Sequence, residues 1–152
     1  MQRGFSLLEA IVAMAIMSTA TIAVAQLSIL SARANRIARS NTVTSVLASQ
    51  RMEQLQSAAW AELAPSPPEA LVRSTDGYFD YVDTDGRTLA GGRTPPAGAV
   101  FVRRWAITPM AGGGALMIHV SVMPISAAEH VVADPGPRQA GETRLAGIKR
   151  RA

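Results

Sequence analysis

The chain has 152 residues, 15 Lys and Arg against 11 Asp and Glu, a net charge of +4 and no cysteine. That length is one domain's worth or less, and the missing thiols exclude a disulfide framework and any thiolate metal site. The basic surplus is almost all arginine, spread from Arg33, Arg36, Arg39 and Arg51 through Arg103-Arg104 to Lys149-Arg150-Arg151. It is compatible with nucleic acid or acidic headgroups, and reads first as a solvated basic surface.

The chain opens Met1-Gln2-Arg3-Gly4-Phe5-Ser6-Leu7-Leu8-Glu9, and from Ala10 to Ala32 no residue is charged. As a helix that run is about 35 Å long, enough to cross a bilayer core. Glu9 stands at its beginning and is the only acidic residue before Glu53. A carboxylate at the edge of a membrane segment is costly when alone, so it marks function and demands a partner. The polar leader precedes the apolar run, and no small-residue cleavage site follows in a turn-forming context. The segment therefore reads as a retained anchor, not as an ordinary secretory signal.

No proline or glycine falls between Gly4 and Pro65, so a helix is expected from about Phe5 to about Leu63. It is apolar all round to Leu30, then amphipathic, with Ile37, Thr44, Leu47, Met52, Leu55, Ala59 and Leu63 on one stripe. Arg33, Arg36 and Arg39 follow the apolar run and read as a membrane exit, their stems snorkelling to headgroups. Pro65-Ser66-Pro67-Pro68 ends the helix.

Beyond it the periodicity becomes strand-like. Tyr78–Val82 leads through the hairpin signal Asp85-Gly86 to Arg87-Thr88-Leu89. Val100–Ile107 is stopped by Pro109, and Gly112-Gly113-Gly114 turns into Leu116–Met123, which Pro124 ends. That last run alternates cleanly, Leu116/Ile118/Val120/Val122 against Met117/His119/Ser121/Met123. Residues 126–141 read as a long mobile loop, and Glu142–Lys149 as a last edge strand. The expectation is an α+β fold: one long helix packed on an antiparallel sheet of three to four strands.

Catalytic constellations are thin. His119 falls on a strand and His130 in the loop, and neither has a base–orienter partner in sequence. Gly112-Gly113-Gly114 lacks the Gly-Lys-Ser/Thr ending of a phosphate loop, so a hairpin turn is expected. Asp80, Asp83 and Asp85 before Gly86 invite a calcium-loop test. The EF-hand frame puts Tyr81 at its first ligand position and Gly92 at its last, so it fails. A looser loop site stands beside a plain Asp-Gly turn. Phe101, Arg103 and Trp105 share one strand face, with Arg104 on the other. They read either as a stacking platform for nucleic acid or as a surface pair whose stems cover rings.

Gly4-Phe5-Ser6-Leu7-Leu8-Glu9 followed by a long apolar helix resembles the class III signal of type IV pilins and type II secretion pseudopilins. The resemblance is strong over about the first 30 residues. Ala48–Leu55 is more loosely similar to minor members of the pilin V and pseudopilin I types, and the head resembles the family only in plan. It implies a leader, residues 1–4, removed by a prepilin peptidase between Gly4 and Phe5, with N-methylation of Phe5. Glu9 would pair with a neighbouring subunit's free amine inside a helical filament, since buried opposite charges are tolerated only together. The parts would be an apolar helix over 5–32, an amphipathic spine over 33–63 and a β head over 64–152.

The implied product is a non-catalytic subunit of a type IV pilus or type II secretion pseudopilus. It would sit in the bacterial inner membrane with a periplasmic head, beside membrane lipid, other pilins and the assembly platform. No cofactor or metal is implied. Two departures point to a minor subunit at initiation or tip: the membrane half lacks the proline common in major pilins, with Gln26 in that region, and the head has no disulfide loop. Counting Arg3 and the amino terminus against Arg33, Arg36 and Arg39 would place the head in the cytoplasm. The cleavage motif overrides that count, because the leader must face its peptidase. The alternative is a single-pass anchored protein whose head binds nucleic acid, as in DNA uptake, or calcium.

Overall fold

A computed structural model describes residues 6–89, 92, 94–128 and 141–151. The chain divides into two compact units, Met1–Ala38 and Arg39–Ala152. Helix α1, Leu7–Ser57, supplies both. Within the first unit its residues are exposed throughout.

The second unit is the expected α+β head. After α1 come 3-10 turns at Trp60–Glu62 and Pro68–Leu71, then β1 (Phe79–Val82), β2 (Thr88–Leu89), β3 (Phe101–Pro109), β4 (Ala115–Pro124), a single turn α2 (Ile125–Ala128) and β5 (Thr143–Arg150). The sheet order is β2-β1-β3-β4-β5, with each neighbouring pair antiparallel. It holds five strands, where three to four were expected, because the short Thr88–Leu89 segment pairs with β1 across the Asp85-Gly86 turn. Gly86 makes that turn with φ +82°, a left-handed value that side chains other than glycine's rarely adopt. Pro109 and Pro124 end their strands as expected, and each is itself the last paired residue. α2 occupies the start of the expected loop, and 129–140 lie outside the described residues.

The core forms where two periodicities meet. Leu47, Ala48, Met52 and Leu55 from α1 pack on Val82, Phe101, Trp105 and Ile107 and on Leu116, Ile118, Val120 and Val122. These are the helix stripe of period 3.6 and one strand face of period 2. Ile118 and Val122 are fully buried, each contributing about 1.5–3 kcal/mol by leaving water. Of the expected stripe, Ile37 and Ala59 stay exposed, while Ala48 joins the core. A second cluster was not foreseen: Tyr81, Val102 and Met123, flanked by Phe79, Leu89 and Ile125, give the sheet's reverse face an apolar patch of its own.

Helix α1 stops at Ser57, short of the expected Leu63, although nothing in Ala58-Ala59-Trp60 breaks helices. Ala59 turns extended, with φ −64° and ψ 146°, and the chain resumes as a 3-10 turn that buries Leu63. The carbonyls left at the helix end are met from β5. Lys149 Nζ donates to Gln56 O at 2.6 Å, and also to Ala58 O. A cation there also suits the negative end of the helix dipole.

Candidate functional site

The candidate site is the start of α1. Ser6 O accepts the N–H groups of Glu9 and Ala10 at 3.0 and 3.2 Å, opening the helix. Glu9 sits in its first turn, where the helix dipole favours an acid. It is exposed and makes no ion pair among the described residues. Gly4 and Phe5, the expected cleavage pair, lie outside the described residues.

On both sides of Glu9 the helix surface is apolar and open, with Leu7 at 79%, Met14 at 72% and Met17 at 71% exposure. α1 is long and apolar enough to cross a membrane. Four hydroxyls of its apolar run bond to their own backbone. Ser18 donates to Met14 O at 2.8 Å, Thr19 to Ala15 O at 2.6 Å, Thr21 to Met17 O at 2.8 Å and Ser28 to Val24 O at 3.0 Å. A hydrocarbon environment requires such internal satisfaction of polar groups. Arg33, Arg36 and Arg39 follow on exposed positions.

The head's expected binding residues are engaged elsewhere. Phe101, Arg103 and Trp105 do share a face, but it is the face turned to α1, and Arg103 is only 2% exposed. Arg103 Nε and Nη2 donate to Asp80 Oδ1 and Oδ2 at 2.9 and 2.7 Å, a bidentate pair. The stacking platform is therefore closed, and Asp80 is removed from the acidic loop. Asp83 Oδ1 accepts the N–H groups of Asp85 and Arg87 at 2.9 and 2.8 Å, tying off the turn. Among the described residues no three metal-ligating side chains cluster.

Arg104, on the reverse face, donates to Val72 O at 2.8 Å, and burial lowers its pKa, with Tyr81 and Glu142 opposing. His119 is half-buried on that face between Ala106 and Ala146. His130 lies outside the described residues. Gly112-Gly113-Gly114 closes the β3–β4 hairpin, with Met110 N–H donating to Ala115 O at 2.9 Å. One functional-looking residue escaped the sequence: Arg51 stacks over the Trp105 ring, 3.7 Å from its centroid. Burial pushes its guanidinium below the ordinary value, an effect that Asp80 opposes and Arg103 reinforces. Its position between Ala48 and Met52 on the stripe was the available signal.

An apolar helix with an acid in its first turn, long enough to cross a membrane and joined in sequence to a helix-on-sheet head, defines the class: an α+β protein of pilin-like plan. A family model for the prokaryotic N-terminal methylation motif matches residues 1–25. The chain thus carries the class III signal of type IV pilins and pseudopilins, with Glu9 and the first part of the apolar run inside the match. No curated protein and no solved structure matches it.

Proposed function

We propose that this chain is a minor pilin or pseudopilin, a structural subunit without catalysis. A prepilin peptidase removes residues 1–4 on the cytoplasmic face and methylates the amine of Phe5. The apolar helix holds the subunit in the inner membrane with its head in the periplasm, then passes into a filament through the assembly platform. Glu9 pairs there with the Phe5 amine of a neighbouring subunit. The observation that carries the reading is the methylation motif over residues 1–25, at the head of a helix that is exposed over its whole apolar run, residues 10–32. Low copy at initiation or tip is supported by the absence of proline from the membrane half and of cysteine from the head.

Glu9→Ala tests the assembly role. The variant is expected to be cleaved normally, yet to be recovered in sheared filaments at a small fraction of the native amount. Normal incorporation of the variant contradicts the ion pair. The rival reading, a head that grips nucleic acid or calcium, has lost its best residues, since Arg103 and Asp80 hold each other.

A further inference from the structure

Gln26 interrupts the apolar run of α1. Its side chain is exposed and makes no hydrogen bond with any described residue, unlike Ser18, Thr19, Thr21 and Ser28, whose hydroxyls return to their own helix. A primary amide brings two donors and an acceptor, and in hydrocarbon each unmet group is costly. A helix placed in a bilayer with Gln26 at its surface therefore needs a polar partner on another helix.

We propose that Gln26 is an interhelical pairing residue, and that its partner in the membrane is Gln26 of a second copy of this chain. The inference rests on the anchor reading above. Two copies inserted with one topology run parallel and hold Gln26 at the same depth. An amide both donates and accepts, so two of them exchange N–H···O bonds reciprocally, which two carboxylates or two guanidinium groups cannot do. The same helix face carries Ala15, Thr19 and Ala23, small enough for close approach, and the Thr19 hydroxyl is already turned back to Ala15 O. Glu9 lies roughly a quarter turn away from that face, so the amide pair leaves the carboxylate open for a different neighbour.

The chain has no cysteine, so single introduced cysteines report one position each. In the full chain in inner-membrane vesicles, Ala23→Cys and Leu30→Cys are expected to give disulfide-linked dimers under mild oxidation. Val24→Cys and Ser31→Cys, on the opposite face, are expected to stay monomeric. Energy transfer between labelled copies in the same lipid should show self-association weakened about tenfold by Gln26→Leu and largely kept by Gln26→Asn. Undiminished association of Gln26→Leu, equal cross-linking on both faces, or capture of a different pilin alone overturns the pair. A chain stripped from the vesicles by alkaline carbonate overturns the anchor reading and the pair with it. A chain that is retained but monomeric overturns the pair alone.

Discussion

Arg103 on β3 and Asp80 on β1 face each other across their strands and meet through two parallel hydrogen bonds, 2.9 and 2.7 Å long, under helix α1. Arg103 Nη1 also reaches Leu47 O at 3.4 Å, so one side chain ties two strands to the helix. A buried ion pair contributes little beyond a well-packed apolar pair, but its half left alone is expensive. Arg103→Met is therefore expected to cost about 3–5 kcal/mol in denaturant unfolding of the chain in detergent. Adding Asp80→Leu should recover much of that loss. A double variant as unstable as the single one contradicts this account of the pair.

Arg51 offers the contrasting case. Its Nε is buried without a partner, and burial disfavours its charged form. Set against this is its stack on Trp105, a contact worth about 0.5–1 kcal/mol. These effects oppose one another, so Arg51→Met is expected to shift unfolding by no more than about 1 kcal/mol. A loss matching that of Arg103→Met would show that the stack has been undervalued.

What the sequence made legible follows from the range of each interaction. The alternation over Leu116–Met123 placed β4 and its buried face correctly, because a strand's period is local. The stripe through Thr44, Leu47, Met52 and Leu55 was legible for the same reason. Phe101, Arg103 and Trp105 were assigned to one face correctly, but not to the inward one. Arg103 is buried only because Asp80 comes to it from another strand, and no local pattern carries that. The same limit applies to the end of α1, which is met by Lys149 from the far end of the chain.

Lys149 therefore makes its own prediction. Lys149→Met keeps the stem but leaves the carbonyls of Gln56 and Ala58 without their charged donor. The expected cost is about 1–2 kcal/mol, read from the unfolding midpoint. Amide exchange should quicken over the last turn of α1 and leave the β3–β4 hairpin unchanged. Uniform quickening across the head would contradict a local cap.

Gly147 on β5 lies against Met52 and Gln56 of the helix. A Cβ built there would stand 2.9 Å from Gln56 Nε2 and 3.0 Å from Met52 Sδ. Both atoms belong to flexible side chains, so Gly147→Ala should be absorbed by their movement. Gly147→Val adds bulk that must push into Met52 and is expected to cost about 1–3 kcal/mol. Equal stability of the two variants would mean that the helix is free to move away from β5.

Processing of the amino terminus separates a pilin-type subunit from a plain anchored protein. The full chain should be made alongside a prepilin peptidase, extracted from membranes and weighed intact. The expected mass lacks residues 1–4 and carries one added methyl group, with fragmentation placing that methyl on the amine of Phe5. A mature chain that still begins at Met1 in the presence of an active peptidase would contradict it.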